Sequence, residues 1–276
     1  MSQTCVRLCL MVLLWTLAWP VGAQRIALTF DDGFDPRVDA QAQAANARIL
    51  NVLNASGIRA MFFPAGFMVD SPAGLALVAD WSQAGHAIGN HTYSHQAFSD
   101  FPAGTQAFFD DVLRGQSLFE KLAGWCPRLR YPYLDEGRSP ELKNVGIQWL
   151  AQHGYGVASA TIFIDDWAYN ERFVASSRGE AGNDEPHERQ AYLERIWQQA
   201  SLQETQWSQQ LGRSPAHVLL LHANSLNARL LPDIVQMFLS KGWTFEDPIV
   251  AFADPVYSRE FTQDGQTRVL PMPACH

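Results

Sequence analysis

Short apolar runs, typical of buried strands, alternate with helical stretches along most of this chain. The predicted strands are residues 25–30, 59–63, 86–90, 129–133, 155–164 and 218–221, with a short one at 244–245. The predicted helices are residues 39–56, 72–84, 100–122, 140–153, 188–211 and 228–241. Strands that alternate with helices usually pair in parallel through helical crossovers. The pattern therefore predicts an α/β fold built on a parallel sheet.

Five unusual polar clusters each fall at the end of a predicted strand. These clusters are Asp31/Asp32, His91/His95, Arg130, Asp165/Asp166 and His222. In barrels of parallel strands, active sites are assembled at the carboxyl ends of the strands. We therefore expect the five clusters to converge on one pocket.

The first two clusters predict a metal site. Carboxylates at the end of a core strand are costly to bury unless they are paired or coordinate a metal. The histidines His91 and His95 are four residues apart, which on a helical turn places both imidazoles on one face. One Asp and two His leave a coordination position open, as in catalytic zinc sites. Successive side chains on a strand point apart, so only one of Asp31 and Asp32 is needed as a ligand.

The first 23 residues differ in composition from the rest. Arg7 precedes an apolar run at residues 8–19, and Val21-Gly22-Ala23 has the small residues of a cleavage site. This pattern predicts a secretory signal peptide at 1–23, hence a secreted or periplasmic protein. An uncleaved membrane anchor is the alternative, although the run is short for a span.

Composition narrows the classes of function that remain. The chain has 276 residues, of which 47% are hydrophobic, and this predicts one globular domain at 24–276. The formal net charge of −8 argues against a nucleic-acid partner.

Cys126 and Cys275 are the two cysteines outside the leader, and the sequence leaves open whether they form a disulfide.

The clusters resemble the motifs of the polysaccharide deacetylases, the carbohydrate esterases with a NodB homology domain. The matching motifs are Thr29-Phe30-Asp31-Asp32-Gly33, His91-Thr92-Tyr93-Ser94-His95, Arg130-Tyr131-Pro132-Tyr133, Asp166-Trp167 and Leu221-His222. They occur in the family's order over residues 25–245. The resemblance implies a distorted (β/α) barrel with about seven parallel strands. It also implies a hydrolase that removes N-acetyl, or occasionally O-acetyl, groups from glycans.

The resemblance further implies a role for each matching residue. The metal ligands would be Asp32, His91 and His95, with Zn²⁺ as the expected ion and Co²⁺ or another divalent ion as alternatives. The general base would be Asp31, oriented by Arg130. The general acid would be His222, tuned by Asp166, and the backbone N–H of Tyr131 would stabilise the oxyanion.

Four side chains are candidates for the groove that receives the sugar or the acetyl methyl group. They are Phe34, Tyr133, Trp167 and Leu226, and each is equally compatible with a place in the core. The family often carries an acid three residues before its Asp-Trp pair, where this chain has Phe163. The tuning carboxylate must then be Asp165 or Asp166. Residues 134–137 and a polar stretch at 169–186, predicted to be a surface loop, are expected to shape the groove.

Three functions stay open on the sequence alone. The first is a metal-dependent N-deacetylase of an N-acetylglucosamine-type glycan. The second is a hydrolase of the same fold that acts on O-acetyl esters or on a non-sugar amide. The third is a glycan-binding protein without catalysis. The polymer, the physiological metal and the oligomeric state are not determined by the sequence.

Overall fold

The computed structural model describes residues 23–177, 185–261, 267–269 and 272–275. The predicted signal peptide, apart from Ala23, lies outside this part of the chain. Within the described residues, no helix combines the length and apolarity needed to cross a membrane.

Eight parallel strands form the central sheet. They are β1 Arg25–Asp32, β2 Met61–Pro64, β3 Ala87–Asn90, β4 Trp125–Leu129, β5 Gly156–Val157, β6 Ile162–Phe163, β7 Ala216–His222 and β8 Thr244–Phe245. Seven of them run in the order β5-β4-β3-β2-β1-β7-β6, and β8 pairs with the start of β1. A separate antiparallel pair consists of β9 Arg259–Phe261 and β10 Thr267–Val269.

Ten helices connect or flank these strands in the described chain. They are α1 Ala42–Ala55, α2 Gly66–Val69, α3 Pro72–Gln83, α4 Gly104–Phe119, α5 Pro140–Gln152, α6 Asp166–Ser177, α7 Glu185–Leu211, α8 Ser225–Ser240, α9 Pro248–Ala251 and α10 Pro255–Ser258. The predicted helices agree with α1, α3, α4, α5, α7 and α8 to within a few residues at each end.

The sheet is curled into an open barrel. The evidence is the short connection between its two edge strands, β5 and β6. Strand β5 ends at Val157 and β6 begins at Ile162, so a connection of five Cα steps spans at most roughly 18 Å. A flat sheet of seven strands would separate its edges by about 29 Å. The predicted distorted barrel of about seven parallel strands is therefore confirmed.

The prediction of one continuous strand over residues 155–164 is wrong. This segment contains two short strands on opposite edges of the sheet, β5 against β4 and β6 against β7. Between them, Ser159 donates to Glu136 at 2.9 Å. The apolar run does not reveal that the chain leaves the sheet, because the crossing segment remains largely buried.

Alternate residues of β1 separate two hydrophobic cores. Ile26, Leu28 and Phe30 pack between the sheet and the helices, whereas Ala27 packs inside the barrel. Further residues of the inner core are Met61, Phe63, Ala87, Cys126, Ala158, Ala216, Val218, Ala251, Phe252 and Tyr257. Thr29 and Asp31 share the face of Ala27, so the inner face of β1 ends in a carboxylate.

The C-terminal residues 272–275 are bound to the barrel by a disulfide. Cys126 of β4 is bonded to Cys275, 149 residues later, which answers the question that the sequence left open. Beside it, the Arg128 guanidinium contacts the Met272 sulfur at 3.6 Å and lies 4.5 Å from the centre of the Phe252 ring.

The predicted loop at 169–186 is also wrong over its first half. Helix α6 extends to Ser177, and residues 178–184 lie outside the described chain. Tyr169 and Phe173 pack on the outer core, and the Asn170 side chain accepts a hydrogen bond from Leu226 N at 3.0 Å. Two aromatic side chains on one helical face thus anchor a segment whose overall composition is polar.

We predict that buried His86 makes the fold sensitive to acid. Its Nδ1 accepts from Ala60 N at 3.2 Å and its ring lies against Trp81, and burial lowers its pKa to about 4. The unfolded chain binds the proton more strongly, so stability falls as the pH falls from about 6.5 to about 4. The contribution is on the order of 2–3 kcal/mol.

The free energy of unfolding, measured by denaturant titration near pH 7.5 and near pH 4, checks this prediction. The free energy of unfolding should fall less on acidification in His86→Gln than in the wild type, by about 2–3 kcal/mol. His153→Gln, which replaces an exposed histidine, should behave as the wild type. An identical loss in His86→Gln and the wild type would contradict the assignment.

Candidate metal centre

The two carboxylates at the end of β1 point in different directions. Asp31 lies on the inner face and is almost fully buried, whereas the Asp32 side chain keeps 26% of its surface exposed. Asp32 has φ of 74° and Gly33 follows with φ of 118°, so the chain turns sharply here. A Cβ on Gly33 would lie 2.9 Å from Val69 Cγ1, which favours glycine at this turn.

The histidine pair lies on a loop after β3, and the predicted helical turn is wrong. Thr92 and His95 have φ values of 63° and 55°, which interrupt any helix. The two imidazoles nevertheless meet, with ring centroids 4.7 Å apart. Left-handed backbone at non-glycine residues is costly and is found most often at functional sites.

Two buried polar residues hold this loop in place. The Asn90 side-chain oxygen accepts from Thr92 N at 2.9 Å. On α4, Asp111 Oδ2 accepts from Tyr93 N, Ser94 N and Ser94 Oγ at 3.1, 2.8 and 2.9 Å. The loop shape therefore depends on a helix that the sequence motifs do not include.

The structure brings Asp32, His91 and His95 together as a candidate metal site. Asp32 Oδ1 lies 3.6 Å from His91 Nε2 and 3.3 Å from His95 Nε2. The three ligand atoms lie within 4.8 Å of one another. Two atoms bonded to one tetrahedral zinc ion at about 2.0–2.1 Å are roughly 3.4 Å apart, so the separations fit.

The bonding of these groups also fits a metal. Asp32 Oδ1 is buried and has no hydrogen-bond partner among the described residues. His91 Nδ1 lies 2.7 Å from the Arg130 carbonyl oxygen, which can only accept, so Nδ1 carries the proton. The lone pair of Nε2 is then directed toward Asp32. Burial lowers the pKa of His91 well below its ordinary value and also lowers that of His95, which favours neutral imidazoles.

Behind the metal site, Asp31 is paired with Arg130. Arg130 Nε lies 3.6 Å from Asp31 Oδ1, and Arg130 Nη2 donates to Thr29 Oγ1 at 2.9 Å. Both partners are buried. Burial raises the pKa of Asp31 to about 6 although the Arg130 charge opposes the rise. A carboxylate with such a pKa can accept a proton near neutral pH.

Across the site, His222 is paired with Asp166. His222 Nδ1 lies 2.5 Å from Asp166 Oδ1, and His222 Nε2 lies 4.0 Å from Asp32 Oδ2. Burial disfavours the charged ring, but the carboxylates, above all Asp166, outweigh it and raise the pKa of His222 to about 10. Asp165 instead has 55% of its side chain exposed and lies 4.0 Å from Arg195. Of the two candidates, only Asp166 contacts His222.

The three candidate metal ligands, Asp31 and His222 line one cavity of about 440 Å³. Its lining residues are Asp31, Asp32, His91, His95, Tyr131, Tyr133, Leu134, Phe163, Ile164, Trp167, Leu220 and His222. Tyr133, Trp167 and Phe163 are large aromatic side chains that remain exposed at the cavity. Phe34 and Leu226 are buried in the outer core and do not line it.

Tyr131 is a buried residue that lines the cavity. Its side chain is buried against Phe98 and Phe108, with ring centroids 5.6 and 5.7 Å apart. Its N–H makes no hydrogen bond to a described residue, whereas the flanking Arg130 N donates to Asn90 O.

Sequence reasoning missed the residues that orient the site. Asn227 and Tyr192 lie behind Asp166, and Asn90 and Asp111 lie behind the histidine loop. Asn227 is three residues after Asn224, the N-cap of α8. Polar residues are common in the first turn of a helix, so the sequence does not mark Asn227 as a site residue. Tyr192 and Asp111 lie in helices with no motif around them.

Comparisons with known proteins agree with the motifs. A family model described as polysaccharide deacetylase matches residues 19–157, half of the chain. The fold is shared with a CE4 esterase of Streptococcus mutans, at a TM-score of 0.57 and 22% identity, over 82% of this chain and 86% of that one. This chain belongs to the polysaccharide deacetylase family.

Two curated relatives are peptidoglycan-N-acetylglucosamine deacetylases of Bacillus cereus. One is 25% identical over 154 residues, which are 55% of this chain and 50% of the relative. The other is 35% identical over 131 residues, which are 47% of this chain and 56% of the relative. The chain therefore spans about half the length of these two relatives.

We predict that removing the Asp111 carboxylate weakens metal binding. Asp111→Ala releases three hydrogen bonds that shape the loop between His91 and His95. Loss of such an outer partner typically lowers metal affinity about 10–100-fold. Zinc titration calorimetry of the metal-free protein measures the effect.

Asp110→Ala is the matched control, because Asp110 is exposed on the same helix and accepts only from Gln106 in the described chain. It should bind zinc as the wild type does. Equal affinities for Asp111→Ala and Asp110→Ala would show that the loop does not depend on Asp111.

Proposed function

We propose that residues 24–276 form one domain that acts as a metal-dependent deacetylase of an N-acetylglucosamine-type glycan, a hydrolase of carbon–nitrogen bonds other than peptide bonds. The observation that carries this proposal is one cavity lined by the candidate ligands Asp32, His91 and His95 together with Asp31 and His222. Outside the lining, Arg130 pairs with Asp31 and Asp166 pairs with His222. Family membership and the names of the two Bacillus relatives support it.

The proposed metal ligands are Asp32, His91 and His95. One carboxylate and two imidazoles are the donor set of catalytic zinc sites, so zinc is our first choice, and cobalt is the alternative. When bound, the ion supplies Lewis acidity, which lowers the pKa of a bound water and polarises a carbonyl oxygen.

Side chains of the protein would carry out the proton transfers of the reaction. The Asp31 carboxylate takes a proton from the attacking water, and Arg130 holds that carboxylate in place. The Tyr131 N–H donates to the oxyanion that forms as the water oxygen bonds to the acetyl carbon. The C–N bond then breaks, and His222 Nε2 gives its proton to the leaving amine. Acetate and a free amine are the products.

The opposite pKa shifts of Asp31 and His222 suit these two roles. Near neutral pH, a carboxyl with a pKa of about 6 is largely ionised and can act as a base. An imidazole with a pKa of about 10 is protonated and can act as an acid. Pairs of groups whose environments separate their pKa values in this way are typical of acid–base catalysis.

The exposed aromatic rings at the cavity would bind the sugar. Tyr133 has 72% of its surface exposed and Trp167 has 56%, and both lie beside the metal ligands. The apolar faces of sugar rings stack on such side chains, and the chain's negative charge makes nucleic acid an unsuitable substrate.

The proposed location is outside the cytoplasm, either secreted or periplasmic, after removal of residues 1–23. The Cys126–Cys275 bond supports this proposal, because disulfides persist mainly in oxidising compartments.

Acetate release by the metal-loaded protein tests the proposed function. We expect acetate from N-acetylglucosamine oligomers, and we expect Asp31→Asn to lower the rate by about 10²–10⁴-fold because it removes the base. Asp165→Asn is the control, since it removes an exposed carboxylate beside Asp166 and should leave the rate unchanged.

Acetylated xylan separates the proposal from its alternative. Acetate from xylan alone would identify an O-acetyl esterase of the same fold. An unchanged rate in Asp31→Asn would show that the base is a different group.

A further inference from the structure

The Asp166 carboxylate is fully buried and accepts hydrogen bonds on both oxygens. Oδ1 accepts from His222 Nδ1 at 2.5 Å. Oδ2 accepts from His222 N at 2.8 Å and from Asn227 Nδ2 at 2.6 Å. The side chain that faces His222 is thus held from a second direction by Asn227.

Asn227 is also fully buried, and the partners of its amide define its orientation. Its Nδ2 lies 2.6 Å from Asp166 Oδ2 and 2.9 Å from His222 O, two atoms that can only accept. Its Oδ1 therefore faces the Tyr192 hydroxyl, which donates to it at 2.5 Å. All the hydrogen bonds of the amide thus go to Asp166, His222 and Tyr192.

Tyr192 completes the chain of hydrogen bonds from α7. Its side chain has no exposed surface, and burial raises the pKa of its hydroxyl well above the ordinary value. The hydroxyl therefore keeps its proton and remains a donor to Asn227. The path Tyr192–Asn227–Asp166–His222 joins α7, the first turns of α8 and α6, and the end of β7.

We propose that Asn227 and Tyr192 are positioning residues that fix the His222 imidazole for proton donation. Neither side chain lines the cavity, so they act through Asp166 rather than on the substrate. Without the Asn227 donor, one lone pair of Asp166 loses its partner and the carboxylate can rotate. His222 Nε2 would then no longer be aimed steadily at the cavity.

This inference rests on the proposed function of His222 as the general acid, and it makes a prediction about leaving groups. The amine that leaves an amide needs a proton from His222 Nε2 as the C–N bond breaks. The 4-nitrophenolate that leaves 4-nitrophenyl acetate is stable as an anion and needs none. Loss of positioning should therefore slow amide cleavage and spare cleavage of the activated ester.

The experiment compares zinc-loaded wild type, Asn227→Ala and Tyr192→Phe on N-acetylglucosamine oligomers and on 4-nitrophenyl acetate. For the amide, we expect kcat to fall roughly 10–100-fold in Asn227→Ala, which leaves a buried carboxylate short of a donor, and about 3–10-fold in Tyr192→Phe, with KM within about twofold. For the ester, we expect changes below about threefold. The ratio of the two rates does not depend on how much of a variant is folded.

Tyr169→Phe is the matched control. Its ring packs against Tyr192 at 5.3 Å between centroids, but its hydroxyl is not part of the hydrogen-bonded path. It should leave both rates unchanged. Equal losses on amide and ester in Asn227→Ala and Tyr192→Phe would overturn the proposal, because they indicate general damage to the fold.

Proton NMR provides a readout that does not require activity. The Nδ1–H of His222, bonded to a buried carboxylate, should give a low-field signal that weakens or shifts in Asn227→Ala and persists in Tyr169→Phe. An unchanged signal in Asn227→Ala would overturn the positioning role. If the wild type cleaves neither substrate, the proposed function fails, and this signal alone then supports or overturns the positioning of the ring.

Discussion

The site depends on the cost of placing carboxylates in a protein interior. Asp31 and Asp166 are buried, and Asp32 is half-buried beside them at the end of β1. Arg130 pairs with Asp31 and His222 pairs with Asp166. Asp32 Oδ1 is buried without a hydrogen-bond partner among the described residues and lies beside His91 and His95, so a divalent cation would complement this group of side chains. The backbone strain at Asp32, Thr92 and His95 is consistent with a geometry that serves a ligand.

The open barrel explains how distant parts of the chain supply this cluster. Strand β1 lies between β2 and β7, so the ends of neighbouring parallel strands bring Asp31 beside His222. The loop after β3 carries the two candidate ligand histidines, and Arg130 follows β4. The proposed base, Asp31, lies on the inner face of the barrel, and the proposed acid, His222, lies across the cavity. The carbonyl of a substrate between them would therefore meet the two proton-transfer groups from different sides.

The sequence predicted which side chains converge better than it predicted the backbone that positions them. Asp31, Asp32, His91, His95, Arg130 and His222 lie in short motifs at strand ends, and the structure brings them to one cavity. The helical turn expected for His91 and His95 fails because Thr92 and His95 adopt left-handed backbone, which Asn90 and Asp111 stabilise from elsewhere in the chain. Periodicity within five residues cannot report such contacts. The split of residues 155–164 into two strands has a similar cause, since the curl of the sheet brings its edges together.

A crystal of the protein grown with zinc, with anomalous diffraction recorded at the zinc absorption edge, shows whether Asp32, His91 and His95 hold a metal ion. We predict one strong anomalous peak, about 2.0–2.2 Å from an Asp32 oxygen and from Nε2 of His91 and of His95. A peak at another location, or no peak between these three side chains at saturating zinc, would contradict the account.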